Sequence, residues 1–308
     1  MSTTIRISIS IFLTVAFSTT THARVYKLYF LGGQSNMAGL GRVEELPDSL
    51  NCPIPGIMIY HGNPAPDKVA ADGRGIWSEL RPGHGNPFRS NGSENTYSAR
   101  FGVEITFAQR LNELDPESHI AILKYARSGT SIDSSAAGRA GCWAPHFDSG
   151  EGIGKGINQY DHFLATVRSA LSVHDIDGDD HPDKLIPSGI VWMQGESDGH
   201  SAETARRYLD NLTFLMKTIR AAFLQDDLPI IIGRISDSGQ DVDGMVWNYG
   251  QIIQEAQAAF VRADPNAALV TTTSSYGYSD RAHYDSAGYL DLGRRFAEAL
   301  VTIYRPSE

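Results

Sequence analysis

Val25-Tyr26-Lys27-Leu28-Tyr29-Phe30-Leu31 runs without a break into Gly32-Gly33-Gln34-Ser35-Asn36-Met37. The aromatic and aliphatic run reads as a buried strand, and the two glycines end it in a tight turn carrying a serine. Similar apolar runs recur at Ile120 to Ala126, Gly189 to Met193, Ile230 to Ile235 and Ala268 to Thr273. Between them, apolar residues fall at helical spacing in Val103 to Leu114, Ile157 to His174, Ala202 to Leu224, Val246 to Arg262 and Ala287 to Tyr304. Apolar strands alternating with helices predict an α/β domain, a parallel sheet of about five strands covered on both faces. Ligands then bind outside the carboxyl ends of the strands.

The composition agrees with that reading. The 308 residues are 41% hydrophobic and 20% charged, enough to bury a core. The formal charge of −10 makes nucleic acid an unexpected partner. The segment from Arg6 through the apolar run Ile7 to Phe17 to Thr21-His22-Ala23 reads as a signal peptide over residues 1–23, cleaved before Arg24. The expected mature chain is then one domain, 24–308, secreted or periplasmic, with no stable membrane insertion. Export permits a bridge between the only two cysteines, Cys52 and Cys142; two buried free thiols are the alternative. Two stretches rich in Gly, Pro, Asn and Ser, His61 to Arg100 and Ser131 to Lys155, are longer than ordinary connections and read as functional loops. Their aromatics, Trp77, Phe88, Tyr97 and Trp143, either stack on a sugar ring or pin the loops to the body.

Four pieces carry chemistry, each with a plainer reading beside it. Ser35 on its turn offers a hydroxyl and a backbone N–H to an oxyanion, or merely caps a helix. Gly129 in Arg127-Ser128-Gly129-Thr130 offers a second N–H, or is a turn glycine. Gln194 and Glu196, in Trp192-Met193-Gln194-Gly195-Glu196-Ser197-Asp198, end a buried run abruptly. An amide there can donate to an oxyanion and a carboxylate can orient a histidine; otherwise they cap the next helix. Asp280 and His283, three apart before the last helix, can converge so that the carboxylate holds one ring nitrogen and the other faces outward.

Taken together and in this order, these motifs resemble the SGNH (GDSL-like) hydrolase superfamily, and within it the sialate O-acetylesterase and family 6 carbohydrate esterase group. Phe101-Gly102-Val103-Glu104 and Ser286-Ala287-Gly288-Tyr289 fit as well, so the resemblance covers the chain from about Val25 to its end. It implies a flavodoxin-like α/β/α sandwich and a serine esterase that removes O-acetyl groups from carbohydrates such as xylan or sialic acids. Ser35 would be the nucleophile, His283 its base and Asp280 the orienting acid, with Glu196 a second candidate for that acid. The N–H groups of Ser35 and Gly129 and the Gln194 side chain would form the oxyanion hole. No cofactor is implied for catalysis. Met193 stands where the family usually has His, which removes a polar contact and leaves the substrate class open. A noncatalytic glycan-binding protein and a GDSL-type lipase or esterase of broader specificity are the competing readings.

One motif lies outside that set. Asp175, Asp177, Asp179 and Asp183 recur at nearly alternate positions, as in calcium loops, yet Ile186 stands where an EF-hand places its bidentate Glu. A structural calcium and a solvated acidic turn are the two expectations.

Overall fold

Strand β1 (Val25–Gly33) feeds a one-turn helix, α1 (Ser35–Ala38), and its side chains alternate between two apolar layers. Tyr29 meets Phe107 of α2 (Glu104–Leu114) edge-on, with ring centroids 5.6 Å apart. Its neighbour Phe30 points the other way, 4.7 Å from Phe163 of α3 (Gln159–Leu171). This alternation places β1 inside a sandwich, as its near-continuous apolar sequence requires. The computed structural model describes residues 23–63, 73–147 and 157–304. Residues 1–22 of the expected signal, and parts of both long loops, lie outside the described residues.

The sheet contains β2 (Ile57–His61), β3 (Trp77–Glu79), β4 (His119–Ala126), β5 (Lys184–Met193), β6 (Ile230–Gly233) and β7 (Ala267–Val270) besides β1. Their order is β7-β6-β5-β1-β4-β2-β3. All neighbours run parallel except β3, which lies antiparallel to β2 at one edge. The sheet thus has seven strands rather than about five. The two unforeseen ones are short and embedded among glycines and prolines.

Helix α4 (Ala202–Ala222) shows how the outer layers form. Ser201 caps it by accepting from the Thr204 N–H, and Ala205, Tyr208, Leu212, Leu215, Met216 and Ile219 form one buried stripe. It packs against α5 (Gly250–Ala263), and Tyr160 of α3 donates to its Thr218 carbonyl at 3.0 Å. On the opposite face α2 packs against α6 (Ser286–Tyr304). Among the described residues no helix is long and apolar enough to cross a membrane.

The chain order steps from β4 across β1 to β5, so Ala126, Gly33 and Met193 end side by side. This is the topological switch point, where open α/β sheets bind ligands. A buried cation braces it. Lys124 in β4 is fully buried, and its ammonium donates to Glu104 Oε2 at 2.7 Å and to the carbonyls of Ala38 and His84 at 3.0 Å each. Burial lowers the Lys124 pKa, while the Glu104 carboxylate acts against that shift.

Of the two alternatives for the cysteines, Cys52 and Cys142 are both free, though only Cys142 is buried. Cys52 is exposed and leads toward the amino end of β2, whereas Cys142 is buried beyond the carboxyl end of β4. Burial pushes the Cys142 thiol up to about 11. A thiol-specific reagent is therefore expected to titrate one cysteine in the native protein and two after denaturation, without reductant. Absence of reaction until reductant is added would establish a bridge. For the ion pair, Lys124→Met leaves Glu104 buried and unpaired, a change expected to cost about 3–5 kcal/mol in urea unfolding. A loss below about 1 kcal/mol would show the brace to be dispensable.

Candidate active site

The serine turn is shaped by Gly33, whose φ of +144° and position against the Met193 carbonyl leave no room for a Cβ. The next N–H, of Gln34, donates to that carbonyl at 2.9 Å and pins the turn to β5. Ser35 follows as the first residue of α1, only 5% exposed. Its N–H and that of Gly129 donate to no protein acceptor among the described residues. Gly129 has a φ of +73° and lies exposed in the loop after β4.

Asn36 connects the pieces. Its side-chain amide donates to Glu196 Oε1 at 2.8 Å and to the Ala282 carbonyl at 3.2 Å. Its oxygen accepts from the Tyr289 hydroxyl at 2.8 Å and lies 3.5 Å from the Tyr284 N–H. The residues on either side of His283 are thereby tied to the residue after Ser35. Within the His283 turn, Nδ1 meets Asp280 Oδ2 at 2.8 Å, and Asp280 Oδ1 accepts the N–H groups of Ala282 and His283. Partial burial works to raise the Asp280 pKa, but the hydrogen bond from His283 and those two N–H groups hold it below the usual range.

Glu196 sits differently. It is buried, one oxygen holds Asn36 and the other has no partner. Burial raises its pKa against the opposing influence of Asn36 and the nearby His283. The carboxylate in contact with Gln194 is not Glu196 but Asp198. Gln194 Nε2 lies 2.6 Å from Asp198 Oδ2, 3.2 Å from the Thr130 carbonyl and 3.3 Å from Gln34 Oε1. These contacts tie the end of β5 to the serine turn, to the Thr130 loop and to Asp198. Asp198 also accepts the N–H groups of Ile132 and Asp133, hanging the Gly129 loop from the end of β5.

Sequence reasoning missed Asn36, Asp198 and Lys124 as individuals, although the first two stand within quoted motifs. Lys124 had its own signal, a lone cation in an apolar strand. The tryptophans are corrected. Trp143 is fully buried against Trp192, centroids 5.0 Å apart, and donates to Thr130 Oγ1, so it cannot stack on a sugar. Trp77 lies half-buried on the edge strand, away from the serine turn, and its indole N–H donates to the Ala170 carbonyl. Met193 is fully buried and faces the core, away from the site.

A family model described as carbohydrate esterase, sialic acid-specific acetylesterase, matches residues 25–302. Among solved structures, a protein from Arabidopsis thaliana is 20% identical at a TM-score of 0.60, over 90% of this chain and 98% of that one. A carbohydrate acetylesterase from Xanthomonas citri is 17% identical at 0.59, over 90% of this chain and 56% of its own. NanS is 16% identical at 0.58, over 93% of this chain and 100% of that one. At these identities the likeness is one of fold. No curated protein sequence matches.

The aspartate loop stands apart from this site. Asp175, Asp177 and Asp183 bring one oxygen each within 4.8 Å of one another, while Asp179 falls outside the group. Asp175 accepts the N–H groups of Gly178 and Asp180, Asp179 that of His181, and Asp183 that of Ile176. Asp177 accepts from the Tyr26 hydroxyl at 2.7 Å and pairs with Arg24, which also lies 3.3 Å from Asp179. With a guanidinium already in place and most oxygens engaged, melting curves in calcium and in excess EDTA are expected to coincide. A higher Tm in calcium would show the ion displacing Arg24.

Proposed function

Because the chain belongs to the carbohydrate esterase, sialic acid-specific acetylesterase family, we propose that Ser35 is the nucleophile of a carbohydrate O-acetylesterase that works through an acetyl-enzyme. The observation that carries this reading is the 2.8 Å contact from Asp280 to His283 Nδ1, in a turn that Asn36 ties to the residue beside Ser35. With Nδ1 held by a carboxylate, the imidazole is fixed with Nε2 as its free base. His283 would take the Ser35 proton as the hydroxyl attacks the acetyl carbonyl. The N–H groups of Ser35 and Gly129 would stabilise the oxyanion, each such donor being worth about 10²–10³ in rate. His283 would then return the proton to the sugar oxygen, and water would repeat the cycle to release acetate. Nothing in this sequence calls for a cofactor. The site is proposed to act outside the cytoplasm, secreted or periplasmic, after cleavage before Arg24.

The acid assignment follows from contacts. Glu196→Gln retains an oxygen for Asn36, whereas Asp280→Asn removes the carboxylate that fixes the histidine tautomer. Replacing a buried orienting Asp costs about 10⁴ in turnover; with its side chain 51% exposed, Asp280 is expected to be worth less. Expected kcat/KM on 4-nitrophenyl acetate is near zero for Ser35→Ala and His283→Ala. Asp280→Asn should fall about 10²–10⁴-fold and Glu196→Gln about tenfold or less. A collapse in Glu196→Gln beside near-normal Asp280→Asn would make Glu196 the triad acid. A folded wild-type protein that hydrolyses nothing yet binds acetylated glycan would be a lectin.

A further inference from the structure

Gly129 offers its N–H from a loop with few contacts of its own. It is exposed at a φ of +73°, and a Cβ there would come no nearer than 3.9 Å to another described part of the chain, the Ala140 methyl. Its two flanks therefore set its position. Upstream, the Arg127 N–H donates to the Gly33 carbonyl at 3.2 Å and ties the loop to the serine turn. Downstream, the Ile132 N–H donates to Asp198 Oδ2 at 3.1 Å and the Asp133 N–H to Asp198 Oδ1 at 2.9 Å.

Asp198 is itself fixed. It is fully buried in the turn after β5, and its carbonyl accepts from Thr204 Oγ1 of α4 at 2.8 Å. Its Oδ2 also lies 2.6 Å from Gln194 Nε2, which in turn lies 3.2 Å from the carbonyl of Thr130, the residue after Gly129. One carboxylate thus gathers both the side-chain amide and the glycine loop, the two oxyanion donors expected outside the serine turn. These partners are all amides, and Arg207 of α4 is spent on Asp133 at 2.7 Å. Burying a carboxylate costs more than burying a neutral amide of the same shape, and what the charge adds is shorter, stronger hydrogen bonds to N–H groups.

We infer that Asp198 is a positioning residue for acetyl transfer: its negative charge holds the Gly129 N–H and the Gln194 amide at the distance from Ser35 that the oxyanion requires. The inference rests on the esterase reading above and adds to it a residue that touches no substrate atom. Its signature is a dependence on pH. Burial pushes the Asp198 carboxyl up to about 7, against the hydrogen bonds from Gln194, Asp133 and Ile132. The titratable groups facing it are Asp133 and Cys142 from the loop after β4 and Tyr208 from α4, with Glu196 and His200 in its own turn. Asp133 is held low by Arg207 and the N–H of Ser135, whereas burial raises Cys142 and Tyr208 out of the working range.

The measurement is kcat/KM on 4-nitrophenyl acetate for the wild type and Asp198→Asn across pH. Groups that titrate in both proteins, His283 among them, cancel in the ratio of the two. Removing one oxyanion donor costs about 10²–10³ in rate, so displacing donors is expected to cost Asp198→Asn about 10–100-fold at about pH 8.5. At about pH 5 the wild-type carboxyl is itself protonated, and the deficit should shrink to within about threefold. A merely structural role predicts the same deficit at both pH values, and that result, or no deficit at all, overturns the inference. Should Asp198→Asn fail to fold, the amide proton shifts of the wild-type protein decide. Gly129, Ile132 and Asp133 are expected to titrate together with a midpoint of about 7. A stationary Gly129 beside a titrating Ile132 shows that the charge stops short of the oxyanion loop, which overturns the inference. Failure of the wild type to hydrolyse 4-nitrophenyl acetate sinks the esterase reading instead, while the Gly129 titration still tells whether Asp198 governs that loop.

Discussion

The Lys124 ammonium has three protons and three acceptors, all buried, and each acceptor belongs to a different part of the site. The Ala38 carbonyl ends the helix that begins at Ser35. His84 leads into the segment that carries Phe88 and Arg89. Glu104 opens α2 and uses its other oxygen to hold the Gly102 N–H at 2.9 Å. A charge in such a place is tolerable only when fully satisfied, so each of the three segments is held where the ammonium can reach it. Serine turn, Phe88 segment and supporting helix thus share one reference point on β4. The backbone of that strand continues to Ala126 and the Gly129 loop, so both sides of the site are set from the same strand.

A second polar layer lies on the β5 side, and it works through neutral groups as well as charged ones. Asn36 satisfies both ends of its amide, and Asp198 gathers N–H groups from two loops. Burial pushes the Asp198 carboxyl up to about 7 despite the donors that favour its ionised form. Its folded pKa lies above its unfolded one, so the folded state holds this proton more tightly between about pH 4 and 7. Stability from this group therefore falls as pH rises through that window. The hydrogen bonds to Ile132, Asp133 and Gln194 offset part of that cost, and they strengthen as the carboxyl ionises. A group that positions two loops is thus also one whose burial opposes its charge, as is common at functional sites.

The central strands were legible because strands buried on both faces must be apolar throughout, and the helices because their stripes recur at 3.6 residues. Ile57–His61 was not, since five residues between prolines and glycines carry too little pattern to separate strand from loop. The Asp280–His283 contact was legible because it is local: three residues within one turn can scarcely avoid meeting. Contacts across the fold were not. Nothing in the order of residues says that Gln194 meets Asp198, or that Asn36 holds Glu196. Trp143 misled for a related reason. A tryptophan in a Gly-rich loop looks available until the sheet beneath supplies Trp192 as its partner.

The two carboxylates nearest the histidine are separated by their surroundings more than by their distance from it. Asp280 is half exposed and accepts hydrogen bonds from the backbone of its own turn, so its charge is kept at any pH where histidine acts as a base. Glu196 is buried with one oxygen unpartnered, and burial raises its pKa. A carboxylate that must stabilise an imidazolium transiently has to be ionised beforehand, and Asp280 meets that condition at less cost. Glu196 is better suited to the opposite task. Through Asn36, which donates both to Glu196 and to the Ala282 carbonyl, it ties the serine turn to the His283 loop. The motif ending β5 contains two carboxylates in three residues with separate partners: Glu196 holds Asn36 beside Ser35, and Asp198 holds the N–H groups of Ile132 and Asp133.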